Sequence, residues 1–92
     1  MHICAFDWDE KNDNHIAEHG VAIFEVEEAI LFRKPLYQRS KEGKYIAYSV
    51  TGEGRYLFIV FAIKNKNRIR VISARDMNEK ERRYYRKKKG VR

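Results

Sequence analysis

Tyr56-Leu57-Phe58-Ile59-Val60-Phe61-Ala62-Ile63, the turn Asn65-Lys66-Asn67 and Arg68-Ile69-Arg70-Val71-Ile72-Ser73-Ala74 read as two strands joined by a tight connection. The first run is apolar at every position, which suits a central strand covered on both faces. In the second, arginines alternate with β-branched residues. A strand therefore holds the side chains of Arg68 and Arg70 on one face, as a row of planar forks matched to phosphate oxygens. A connection this short makes the pair antiparallel.

Working outward, strand-like runs cover Leu36 to Ser40, Lys44 to Thr51, Arg55 to Lys64 and Arg68 to Ala74, with turn signals at Glu42-Gly43 and Gly52-Glu53-Gly54. Upstream, Ile3 to Trp8 predicts a first strand, and the Asp9-Glu10 pair suits the start of a helix over Glu10 to Glu18. Gly20 is placed to end that helix in the left-handed conformation. A second helix spans Ala22 to Phe32, with Ile23, Val26 and Ile30 on its inner stripe and Glu25 and Glu28 outward. Lys34-Pro35 stops it. Asn78 and Glu81 have capping-box spacing for a last helix that ends in Arg86-Lys87-Lys88-Lys89-Gly90. The expected order is β-α-α-β-β-β-β-α. That is an α+β fold with an antiparallel sheet and helices packed mainly on one face, a single domain over residues 1–92 with a basic tail from about residue 87 to 92.

A chain of 92 residues has room for one small core, burying roughly 60% of the surface its unfolded form exposes. Cys4 is the only cysteine, so no internal disulfide forms and a reducing compartment is expected. Acidic Asp7 and Asp9 interrupt any secretory or transit segment at once, and no run is long and apolar enough to span a membrane. The chain reads as cytoplasmic. Its net charge is +7, unevenly spread: residues 1–30 hold eight acidic side chains and one basic, and residues 31–92 hold nineteen basic and five acidic. Such segregation gives either a basic face for a polyanion and an acidic face that repels it, or two halves that interleave and neutralise each other.

The run from Arg68 through Arg75 and on to Asp76-Met77-Asn78-Glu79-Lys80-Glu81-Arg82-Arg83-Tyr84-Tyr85 resembles the C-terminal half of the BrnT family, the small ribonuclease toxins of bacterial BrnT/BrnA toxin–antitoxin pairs. Phe6-Asp7-Trp8-Asp9, a short helix-like stretch and His19-Gly20-Val21 are similar to that family's N-terminal half. The resemblance implies a RelE/ParE-like fold, cleavage of RNA and a cognate BrnA-like antitoxin as partner.

Metal-free RNA cleavage needs a group to take the 2′-hydroxyl proton, cations to stabilise the charged phosphorane and a group to protonate the leaving 5′-oxygen. Arg70, Arg75 and Arg82 are the candidates for the cations. The structural alternative pairs Arg75 with Glu79 or with the acidic first helix. His19, highlighted by the resemblance, titrates near neutrality, and its alternative is to finish the first helix. His2 and His15 have no supporting neighbours in sequence. Tyr84, seven positions after Met77, is expected to dock the last helix on the sheet, which leaves Tyr85 for substrate. Arg68, Arg83, Arg86, Lys87 and Lys88 are candidate phosphate contacts. No His, Cys or Asp cluster has metal-ligand spacing, so no cofactor is expected. The chain is then a metal-independent endoribonuclease, a noncatalytic nucleic-acid-binding module, or a protein that only receives an acidic antitoxin segment.

Overall fold

The computed structural model describes residues 2–90, so Val91 and Arg92 of the expected basic tail lie outside the described residues. Its elements run β1 (Ala5–Phe6), α1 (Glu10–Ala17), α2 (Ile23–Leu31), β2 (Leu36–Arg39), β3 (Lys44–Val50), β4 (Tyr56–Asn65), β5 (Arg68–Asp76) and α3 (Glu79–Lys89). Local chemistry sets their ends. Asp9 and Asn12 close a reciprocal capping box on α1, and Asn78 and Glu81 close another on α3. At α2 the Glu25 carboxylate accepts the Ala22 N–H at 3.0 Å. Gly20 and Gly90 adopt φ of 71° and 73° just past α1 and α3, where a side chain would be strained.

The sheet has five strands in the order β1-β5-β4-β3-β2. Strands β2 to β5 form antiparallel neighbours, but β1 lies parallel to β5 with Ala5 opposite Arg68 and Phe6 opposite Ile69. The sheet is therefore mixed, which corrects the fully antiparallel expectation. Hairpin loops dictate the pairing of β2 to β5, whereas β1 has no hairpin. Its place is fixed by nonlocal bonds, including those from the Cys4 and Ala5 N–H groups to the Asn67 carbonyl and from the Asp7 N–H to the Ile69 carbonyl.

The helices divide between the two faces. Side chains from α1 and α2, among them Ile16, Val26, Ala29 and Ile30, meet Ala47, Leu57, Ile59, Phe61, Ile69, Val71 and Ala74 in the main core. Tyr85 of α3 and the preceding Met77 pack with Tyr48 on the other face, beside half-buried Leu36, Ile46, Val50, Tyr56, Phe58 and Tyr84. Two helices thus share one face, and the third covers part of the opposite face. Strand β4 shows the consequence. Leu57, Ile59 and Phe61 are completely buried, while Tyr56, Phe58, Val60 and Ala62 are only half-buried, so the strand is sealed on one side alone.

A bulge in β5 governs which arginines share a face. Val60 pairs with Ser73 and Phe61 with Val71, leaving Ile72 as an extra residue. Strict alternation from Arg70 would turn Arg75 inward with Val71. The bulge shifts the parity by one, so Ala74 enters the core and Arg75 joins the α3 face.

Candidate functional site

Cross-strand register builds the centre of the α3 face. Leu36, Tyr48, Phe58 and Arg75 lie opposite one another across β2, β3, β4 and β5. The Arg75 guanidinium sits 4.1 Å from the centre of the Phe58 ring, and its two terminal nitrogens donate to the two Glu81 carboxylate oxygens at 2.8 and 2.9 Å. Arg75 is thus held in an ion pair, but by Glu81, not by Glu79 or the first helix as the structural alternative has it. Because Glu81 also accepts the Asn78 N–H, one carboxylate caps α3 and fixes Arg75 at the end of β5. The hydrogen bonds from Arg75 hold the Glu81 carboxyl below its ordinary range. Tyr48 stacks edge-on against Phe58 at 5.3 Å and lies 5.1 Å from the ring of Tyr84. Its hydroxyl donates to the Gln38 side-chain oxygen at 2.9 Å. Burial, with the nearby Tyr84 and Glu81, pushes this phenol above its ordinary value. Gln38, Tyr48, Asn78, Lys80, Glu81 and Tyr84 line a cleft of about 310 Å³.

On its next side, α3 makes an aromatic and cationic band. Arg82 and Arg86 lie over the Tyr56 ring at 5.8 and 5.2 Å, and Tyr85 meets the same ring edge-on at 5.9 Å. Tyr85 is buried and Tyr84 half-buried, which reverses the roles expected for them. The seven-residue spacing from Met77 has no helical meaning, because Met77 precedes the Asn78 cap. Helix α3 carries seven basic and two acidic side chains. Among the described residues, Arg82, Arg83, Arg86, Lys87 and Lys88 form no ion pair, so their charge stays open to an anion.

The other expected residues lie elsewhere. Arg70 donates to Asp9 at 2.9 Å and approaches Asp7 at 3.9 Å; the hydrogen bond from the Asn12 N–H, and after it Arg70, hold the Asp9 carboxyl low. Arg70 shares a cavity of about 250 Å³ with Lys11, Asn12 and His15. Arg68 is exposed beside the hairpin turn. His19 is exposed in the α1–α2 turn, and there its carbonyl accepts a long bond from Arg55. The arginines proposed for phosphate therefore occupy three places rather than one.

Arg55 was not singled out from sequence, yet it is the most heavily bonded arginine of the structure. It donates to Asp76 at 2.7 Å, to Glu25 at 2.9 Å and to the Gly20 carbonyl at 2.9 Å, which raises its own pKa and lowers that of Asp76. It ties the α1–α2 turn and α2 to the end of β5. Nothing in a lone Arg between Gly54 and Tyr56 signals this role. Tyr48 and Lys80 were also missed, because their place in the cleft depends on register and on the seat of α3.

The cleft combines two phenols, two side-chain amides, the Glu81 carboxylate and Lys80, which has no ion pair among the described residues; with the Arg75 guanidinium held beside it by Glu81, it is a set able to bind a phosphodiester. No group of three or more His, Cys, Asp or Glu among the described residues is arranged to hold a metal ion, and none of their helices is long and apolar enough to cross a membrane. The model of the family described as the ribonuclease toxin BrnT of type II toxin–antitoxin systems matches residues 8–81. The crystal structure of the Brucella abortus ribonuclease toxin BrnT matches with a TM-score of 0.64 and 22% sequence identity, covering 82% of this chain and 97% of that one. At that identity the likeness speaks for the fold. No curated protein matches the chain. Because the family model runs from Trp8 to Glu81 and so takes in both sheet faces and the start of α3, the chain belongs to the BrnT family of ribonuclease toxins of type II toxin–antitoxin systems.

Proposed function

We propose that this toxin is a metal-independent endoribonuclease in a RelE/ParE-like fold, and that it cleaves RNA on the α3 face of the sheet. The observation that carries the reading is the cleft lined by Tyr48, Tyr84, Lys80 and Glu81, with the Arg75 guanidinium held at its edge by Glu81 and a strongly cationic helix beside it. RNA supplies the nucleophile: the 2′-hydroxyl gives its proton to solvent water as its oxygen attacks the adjacent phosphorus, the bond to the 5′-oxygen breaks as that oxygen takes up a proton, and a 2′,3′-cyclic phosphate and a 5′-hydroxyl result. Arg75 and Lys80 stabilise the charge gained by the phosphoryl oxygens. Tyr48, a phenol protonated at neutral pH, donates to the leaving oxygen and is reprotonated from solvent. Glu81 is a positioning residue, since its oxygens are committed to Arg75 and Asn78. Arg82, Arg83, Arg86, Lys87 and Lys88 hold the RNA backbone. Membership of a type II toxin–antitoxin family implies an antitoxin partner; we assign it to a BrnA-like protein that covers this basic face with carboxylates and so excludes RNA.

One observation favours a second reading, a noncatalytic RNA binder: both terminal nitrogens of Arg75 are already on Glu81. Incubation of the purified protein with single-stranded RNA in excess EDTA separates the two. Cleavage with cyclic-phosphate ends is expected. Activity lost in chelator and restored by magnesium or manganese overturns the metal-free chemistry, and RNA binding without cleavage leaves the binder.

A further inference from the structure

Phe32, at the C-cap of α2, is 80% exposed, more than any other large apolar side chain described. Its surroundings are cationic and aromatic. Phe32, Arg33, Lys34 and Tyr85 line one cavity of about 330 Å³. Arg33 is anchored through Nε to the Val50 carbonyl at 3.1 Å, and its terminal nitrogens make no hydrogen bond among the described residues. Tyr85 leads on to Tyr56, over which Arg82 and Arg86 are stacked. A ring left in water, next to two cations and continuous with a cationic helix, has the composition of a platform for single-stranded nucleic acid, where bases stack and phosphates find positive charge.

We propose that Phe32, Arg33, Lys34 and the Tyr85 ring form a subsite for one nucleobase of single-stranded RNA. Phe32 stacks on the base, and Lys34 meets a neighbouring phosphate. This assignment rests on the RNA-cleaving function proposed above and extends it to the α2–β2 loop. The rival occupant is a protein. Phe24 and Leu31, also on α2, are 68% and 39% exposed, and that helix carries Glu25, Glu27 and Glu28. RNA is favoured because the cavity itself carries two cations and no carboxylate.

The test uses the full chain and an uncleavable 2′-O-methyl RNA oligonucleotide, with a matched series in which one base at a time is removed, read by fluorescence anisotropy. Phe32→Ala weakens binding about tenfold, while Phe32→Tyr restores it, since stacking asks only for an aromatic face. Removing one particular base costs the wild type a similar factor and costs Phe32→Ala nothing, because both deletions break the same stack. Phe24→Ala leaves RNA affinity unchanged. The exposed position lets Phe32→Ala keep its fold, checked by an unaltered urea midpoint. Additive losses at every abasic position overturn the subsite, as do losses of antitoxin affinity in both Phe24→Ala and Phe32→Ala with RNA binding untouched. Cleavage of unmodified RNA is measured alongside. A wild type that cleaves RNA but binds it without regard to Phe32 refutes the subsite alone, and one that neither binds nor cleaves RNA refutes the ribonuclease reading with it.

Discussion

Under α1 and α2 the sheet is closed by thirteen buried apolar residues, whereas under α3 only three are buried. Carboxylates of the N-terminal half pair with two arginines, Glu25 with Arg55 and Asp7 and Asp9 with Arg70, whereas the cations of α3 form no ion pair among the described residues. The charge halves of the sequence therefore do both things open to them. They neutralise each other at two arginines, and they separate into an acidic helical layer and a basic helix on opposite faces. A small domain has little stability to spare. Concentrating it under α1 and α2 leaves the other face able to carry half-buried aromatics and partly exposed arginines, which a tight apolar core does not tolerate.

The strongest way to break this comparison is to cut each face by one side chain. Phe61→Ala, at a fully buried position stacked on Tyr45 and met edge-on by Tyr37, should cost about 3–5 kcal/mol. Met77→Ala in the smaller cluster should cost about 2 kcal/mol, the low end for such a truncation, because an open site can relax. Urea midpoints at unchanged m-value give both numbers. An equal loss at Met77 makes α3 part of the main core, and the division of labour fails.

Next in size is the contrast between Arg75 and Arg55. Arg75→Ala should slow RNA cleavage by more than tenfold, since a well-placed transition-state donor is worth roughly 2.7–4 kcal/mol, with a far smaller loss of RNA affinity. Arg55→Ala should instead lower folding stability, by about 1–3 kcal/mol for the partners left unsatisfied, and keep the cleavage rate of the folded molecules. Single-turnover rates, RNA binding and urea midpoints on both variants decide it. If cleavage and binding fall in parallel for Arg75→Ala while stability falls as for Arg55→Ala, Arg75 is an anchor and the binder reading gains.

The smallest effect is a dependence on acid. Hydrogen bonds from Arg55 lower the Asp76 carboxyl, and those from Arg75 lower that of Glu81. A folded-state value below the unfolded one means that each pair contributes fully above the ordinary carboxylate range, about pH 4, and that its contribution is lost as pH falls through the depressed folded value. The urea midpoint should therefore drop on acidification through that range, and less steeply in Glu81→Gln. Identical pH profiles for the two proteins would remove Glu81 from the account.

Much of this molecule is decided locally, and that part is legible in the sequence. Asp9, Asn78 and Glu81 cap helices because their side chains reach backbone N–H groups within one turn. Gly20 and Gly90 end helices because they lack a Cβ, Pro35 stops α2, and short loops force β2 to β5 into hairpins. The inner stripe of α2 follows from its period, although its exposed Phe24 and Phe32 do not. The arginine-rich strand and the basic last helix also mark the cationic half of the chain without any structure. Tertiary structure decides which of those residues meet. Side chains in a strand alternate with period two, so one extra residue at Ile72 changes the face of everything after it, and no local signal announces that residue. The parallel seat of β1, the choice of Glu81 for Arg75, the burial of Tyr85 rather than Tyr84 and the bonds gathered by Arg55 all join groups far apart in sequence or depend on where α3 comes to rest. Composition and spacing settle which chemical groups the chain holds; register and packing settle which of them can act together.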